Sequence, residues 1–170
     1  SVIESKEKFN MEEMIDLQVD YYSMASEEII KLASGNISNY IDYFEKLEKW
    51  NNVLDRNSIE AGIYVEWQSQ IYFEFINTYV PNSVKKYLDI QIFRIIETIS
   101  NMNESNRAKF LNKTFNASID NLKERYGEDS KNWVYGQDEY KHVKIYHPLE
   151  NVVNDSIKGL VELKTYPRGG

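Results

Sequence analysis

Cysteine is absent from the 170 residues. That excludes a disulfide framework, a thiolate nucleophile and thiolate metal ligation together. Histidine occurs only at 142 and 147. A spacing of five on an extended segment turns two rings to opposite faces, and no His-Glu-x-x-His pattern exists. Structural or surface roles are expected for both, with no metal ligand and no cofactor in this chain. Glycine-rich phosphate loops are missing, since Gly169-Gly170 is a lone pair. Seven glycines and three prolines are few, which favours long regular elements over many turns. No apolar run reaches the roughly 18 residues of a membrane span. No signal-peptide pattern opens the chain, which in a piece of a longer protein leaves export of the parent open. Basic charge is also short: 20 basic against 27 acidic side chains give a net charge of -7. A general nucleic-acid binder needs the opposite balance.

What is present is a large apolar inventory. Hydrophobic residues make up 42% of the chain, including 13 Tyr, 7 Phe and 3 Trp, enough for a sizeable core in one soluble domain. Their spacing is helical. Met14, Leu17, Tyr21, Ala25 and Leu32 predict a first helix over 11–33, ended by Gly35-Asn36. Ser38 is placed to cap a second, running to about Trp50 with Tyr40, Phe44 and Leu47 inside. Asn57 or Ser58 caps the third, where Ile59, Ile63, Trp67, Ile71 and Phe75 recur at four-residue steps and Tyr64 and Tyr72 widen the stripe. Pro81 breaks the chain, and Asn82-Ser83 precedes a fourth helix marked by Val84, Leu88, Ile92, Ile95 and Ile99. Ser105 is the expected cap of the fifth, with Leu111, Phe115, Ile119, Leu122 and Tyr126 inside and Gly127 at its end. Beyond Gly127 the pattern changes. Val143, Ile145 and His147 alternate with Lys144 and Tyr146, the period of a strand that Pro148 ends. Residues 151–163 permit a short helix. The fold class expected is mainly α: a bundle of about five helices over 1–127, then a strand-containing segment over 128–170.

Catalytic chemistry is sparse. Glu12 and Glu13 are adjacent, as are Glu27 and Glu28, and neighbours on a helix do not face one another. Glu66, Glu74 and Glu97 sit on otherwise apolar helices, where one of them could bind a buried arginine such as Arg94, but each is expected to point to water. Ser1 has the position of an N-terminal nucleophile, but Val2-Ile3-Glu4-Ser5-Lys6 reads as the ragged start of a helix, without the preorganised surround that role needs. No catalytic residue is assigned. The ends read as cut: the chain opens on Ser1 without Met, and Pro167-Arg168-Gly169-Gly170 is a turn with no element after it.

One ordered set of short segments carries a resemblance. Trp133-x-Tyr135-Gly136, then Lys141-His142-Val143-Lys144-Ile145-Tyr146-His147-Pro148-Leu149, then Pro167-Arg168-Gly169-Gly170, resemble the penicillin acylase family. Upstream, Gln18-x-Asp20 with Ser23-x-x-Ser26, Leu47-x-x-Trp50-Asn51, and Ala61 through Trp67 resemble its preceding helices. Two positions depart from the pattern: Asn51 stands where Asp is usual, and Lys141 stands where His is expected, with His142 one residue on.

The resemblance implies part of an N-terminal-nucleophile amidohydrolase of α+β fold, which cleaves linear amides with a Ser exposed by self-processing. That Ser and its oxyanion donors lie upstream of the segments matched here, so this chain alone is expected to be inactive. Some members bind calcium, through other parts of the chain. The implied partners are the remainder of the parent polypeptide and a small amide substrate, with self-association of the isolated piece expected, and the parent is implied to be periplasmic or extracellular. The alternative is a helical structural or protein-interaction module with no enzymatic parent.

Overall fold

A computed structural model describes residues 8–18 and 20–136, together with 142–143, 152, 156, 159 and 166–167. Among these residues the chain is mainly helical. Six α-helices, α1 (Met11–Gln18), α2 (Met24–Ala33), α3 (Ile41–Glu48), α4 (Ile59–Tyr79), α5 (Ile92–Ser100) and α6 (Glu104–Tyr126), are joined by short connections. Tight 3-10 turns occupy Lys85–Tyr87 and Ser130–Trp133. A two-residue antiparallel pairing joins β1 (His142–Val143) to β2 (Tyr166–Pro167). The rest of the strand expected at 144–147, and most of 151–163, lie outside the described residues, as do Ser1 and His147.

The single helix expected over 11–33 is two. Reciprocal hydrogen bonds between Asn10 and Glu13 start α1, the capping-box arrangement. The helix stops at Gln18 because Asp20 and Ser23 offer the backbone other partners. Asp20 Oδ1 accepts from the Tyr22 amide, and Ser23 Oγ accepts from the Ser26 amide to cap α2. Between them the chain runs beside 52–54: the Ser23 amide donates to Asn52 O and the Leu54 amide to Tyr21 O. A partner about thirty residues away therefore replaced a helical turn.

Three caps also move. Ser38 does not cap α3, because its amide and hydroxyl both donate to Asn112 Oδ1 on α6. The helix starts instead after Tyr40, whose φ is 56°. Asn103, not Ser105, caps α6 by accepting from the Asn106 amide at 2.9 Å. The expected helix over 84–99 is shortened to α5, preceded by the 3-10 turn, and Gln91 rather than Asn82-Ser83 stands at its start. Val84 and Leu88 keep helical spacing but are 40% and 43% exposed. Without a face to bury, spacing does not hold a helix.

Where the expected stripes do find a core, they hold. Ser58 caps α4, and Ile63, Tyr64, Trp67, Ile71 and Phe75 are buried. Leu111, Phe115, Ile119 and Leu122 of α6 face them, and Gly127 ends α6 at φ 83°. The two long helices form the spine. At their centre Trp67 meets Phe44 and Phe115 edge-on, with ring centroids 6.0 and 5.0 Å away, the arrangement aromatic quadrupoles favour. Trp67 Nε1 donates to Thr114 Oγ1 at 3.0 Å, so its one polar atom is satisfied inside the core. Helices α2, α3 and α5 pack around this pair.

Candidate functional site

The residues behind the family resemblance are scattered in sequence, yet the fold gathers several of them around the first half of α4. The close approach of 133–136 is the clearest case. Trp133 is buried, its ring lies 5.0 Å from that of Tyr43, and its Nε1 donates to Gly127 O at 2.9 Å. The Tyr135 amide donates to Ser58 O and the Gly136 amide to Arg56 O, at 3.0 and 2.7 Å. This backbone-to-backbone seam depends on two glycines. A Cβ on Gly62 would stand 1.8 Å from the Trp133 carbonyl oxygen, and one on Gly136 would stand 2.5 Å from Arg56 Cβ. Both distances are far inside van der Waals contact.

The second group sits on the adjoining side. Ser26 Oγ donates to Asn52 Oδ1 at 2.7 Å, tying α2 to the loop after α3. Leu47 is buried, and the Trp50 ring lies 5.8 Å from Tyr64. Asn51 Oδ1 accepts from the Val53 amide at 3.1 Å. An aspartate could accept the same bond, so the departure at this position leaves the turn intact. Open clefts of about 500 and 350 Å³ flank Trp50. Each has a serine at its wall, and both hydroxyls are spent: Ser58 caps α4 and donates to Glu60 at 3.0 Å, while Ser34 donates to Glu48 at 2.7 Å. The arrangement is a packing joint.

A family model described as Penicillin amidase matches residues 1–170, the whole chain. The chain belongs to the penicillin amidase family. Among curated proteins, none matches it. The family is one of amide hydrolases, and no helix among the described residues is long and apolar enough to cross a membrane.

Within this penicillin amidase chain one polar residue was misread from sequence. Glu66 does not point to water; it is 2% exposed. Its Oε1 accepts from Gln70 Nε2 and Asn121 Nδ2 at 2.9 and 3.1 Å, and its Oε2 accepts from Arg125 Nη1 at 3.2 Å. The partners are four residues ahead on α4 and on the facing side of α6, so the carboxylate locks the spine helices in register. Its presence on an apolar stripe was the available signal, and Arg125 rather than Arg94 is the arginine. Arg94 instead bonds Glu97 on the surface at 2.9 Å. Glu74 pairs with Lys113 at 2.7 Å, and that ammonium holds its carboxyl below the usual range. A third open cleft, of about 600 Å³, is lined by Ser38, Asn39, Asp42, Asn116 and Asp120 beside Tyr40. Tyr40 Oη donates to Asp120 Oδ1 at 2.5 Å, which raises the phenol's pKa.

Tyr64 carries a testable consequence of burial. Its side chain is fully buried and its hydroxyl lacks a hydrogen-bond partner of good geometry. Burial pushes its pKa up to about 12, with the nearby Ser23 hydroxyl offsetting only part of that. A phenol whose folded pKa exceeds the unfolded value near 10 contributes stability fully present below about pH 10 and lost as pH rises toward 12. The stake is on the order of 2–3 kcal/mol, at about 1.4 kcal/mol per unit. Tyr64→Phe should leave neutral-pH stability unchanged or slightly higher, because a buried unpaired hydroxyl is removed. It should also flatten the alkaline loss. Urea melts of both proteins at pH about 8 and 11 provide the check, and equal pH slopes would refute it.

Proposed function

We propose that this chain is a non-catalytic, mainly helical supporting segment of a penicillin-acylase-like amidohydrolase. The parent cleaves a linear amide, releasing an acyl side chain from an amine, through an N-terminal Ser nucleophile located outside this chain. The observation that carries the reading is the fate of the family's signature positions. Ser23, Ser26, Trp50, Gly62, Trp133 and Gly136 serve the joint at α4, and the hydroxyls among them are spent on structure. Acyl transfer needs a nucleophile and base within about 2.6–3.2 Å and donors aimed at the developing oxyanion. A rigid joint suits the other requirement, a wall that stays in place while the acyl group is positioned and water is excluded.

Met11, Phe73, Tyr87 and Phe93 expose half or more of their surface, at 81%, 59%, 74% and 50%. Such side chains support a reading in which the remainder of the parent polypeptide packs here, and in which the isolated piece self-associates. Calcium, where the parent uses it, binds outside this segment.

The test is burst release from chromogenic aryl-acyl amides by full-length protein and by the 170-residue piece side by side. The full-length protein is expected to turn over and the piece to be silent. Turnover by the piece that disappears in Ser1→Ala would make Ser1 the nucleophile and overturn the proposal. A correctly processed parent that is inactive across many acyl groups would sever the family fold from amide hydrolysis.

A further inference from the structure

Asparagine followed by any residue except proline, then serine or threonine, is the acceptor tripeptide of N-glycosylation. It occurs at Asn36-Ile37-Ser38, Asn103-Glu104-Ser105, Asn112-Lys113-Thr114, Asn116-Ala117-Ser118 and Asn154-Asp155-Ser156. Asn154 lies outside the described residues. The fold separates the other four. A glycosylated chain reaches this fold only where the modified amide nitrogen is one that the folded chain does not use and has an open path to solvent.

Asn36 and Asn112 hold one another. Asn112 Nδ2 donates to the carbonyls of Asn36 and Ala108, and its Oδ1 accepts from both the amide and the hydroxyl of Ser38. One clamp thus consumes the Asn112 amide and the Ser38 hydroxyl of two tripeptides. Thr114 is buried under Trp67, whose Nε1 it accepts. Asn116 Oδ1 is buried, and Ser118 is buried with its hydroxyl donating to Phe115 O at 2.6 Å. A sugar on Asn112 would have to break that clamp, and at Asn116, which borders the cleft beside Tyr40, the serine of the tripeptide is buried and engaged.

Asn103 is different. It is exposed, as are Glu104, Ser105 and Asn106. Its backbone is extended, at φ −62° and ψ 152°. Its oxygen, not its nitrogen, makes the cap, accepting from the Asn106 amide. Nδ2 donates to no group among the described residues. We propose that Asn103 is an N-glycosylation acceptor when the protein passes through a glycosylating export compartment, and that Asn36, Asn112 and Asn116 are not. The donor is a lipid-pyrophosphate-linked oligosaccharide. Asn103 Nδ2 forms a bond to the anomeric carbon, and the bond from that carbon to the phosphate oxygen breaks. The lipid pyrophosphate leaves with the electron pair, and the amide nitrogen gives up one proton. The substituted nitrogen leaves Oδ1 in place, so the cap of α6 survives modification.

The proposal does not depend on amidase activity, and its test reads mass alone. Full-length protein is secreted from a eukaryotic host, the cooperatively melting fraction is isolated, and peptides are mapped before and after enzymatic deglycosylation. Expected is a glycan on the Asn103 peptide and none on those of Asn36, Asn112 and Asn116. Ser105→Ala should abolish it. Asn103→Asp should abolish it too while leaving the melting temperature of the deglycosylated protein within about a degree or two, because aspartate caps as well as asparagine. Folded, secreted protein with an unmodified Asn103, or with a glycan at Asn36, Asn112 or Asn116, would overturn the assignment.

Discussion

Gly62→Ala should destabilise the chain by about 3 kcal/mol or more and release the Trp133 segment from α4. Propensity argues the other way, since replacing an interior helical glycine by alanine stabilises by about 1 kcal/mol. Packing decides the sign. The added methyl would lie 1.8 Å from the Trp133 carbonyl oxygen, and the carbonyl carbon and the Tyr135 amide nitrogen stand 3.0 and 3.3 Å from the same point. Overpacking against side chains costs about 1–3 kcal/mol, and a seam of backbone yields less than a side chain does. The seam has two ways to respond. Either the segment lifts away, giving up the bonds from Tyr135 and Gly136 to Ser58 and Arg56, or α4 itself shifts. Both expose the Trp133 ring, which is buried now. Denaturant melts should show the loss, and tryptophan emission of the folded variant should move to longer wavelength. A variant as stable as the parent, with unchanged emission, would mean that the seam is not as tight as the geometry states.

Trp67→Ala should cost about 3–5 kcal/mol, the usual penalty for emptying a large aromatic site. The ring is fully buried and joins α4 to Phe44 of α3 and Phe115 of α6. Three helices therefore lose a common partner. Marginal stabilities of about 5–15 kcal/mol make this about a fifth or more of the total. Trp67→Phe keeps part of the ring contact and loses the rest of the indole volume together with the bond to Thr114, so it should cost distinctly less. Thermal melts of the two variants beside the parent check the order. A Trp67→Ala cost below about 1 kcal/mol would show that the core does not centre on this residue.

These two positions also mark what could be read from sequence. Trp67 lies in the four-residue stripe from Ile59 to Phe75, and a stripe that regular on a 3.6-residue period has to face a core. Gly62 carries no such mark. In one dimension it is a weak spot in a good helix; only the approach of 133–136 makes it necessary. The same holds for Glu66. A carboxylate among apolar residues signals either a solvated edge or a buried ion pair, and Arg125, 59 residues away, settles which.

Periodicity and end signals were enough to establish a mainly helical chain, the two long helices α4 and α6, a cap at Asn57 or Ser58, and Gly127 as a stop. Those features are local: the hydrogen bonds and apolar stripe that stabilise them lie within a few turns of chain. The ordered short motifs carried the family, whose pattern spans residues 1–170. Tertiary structure decided the rest. It broke the first helix at Gln18 because 52–54 offered Tyr21–Ser23 a backbone partner. It took Ser38 from its helix because Asn112 reached it first. It unwound 84–91, where helical spacing had no surface to bury. In each case a contact distant in sequence, or its absence, outweighed a local preference worth about 1 kcal/mol.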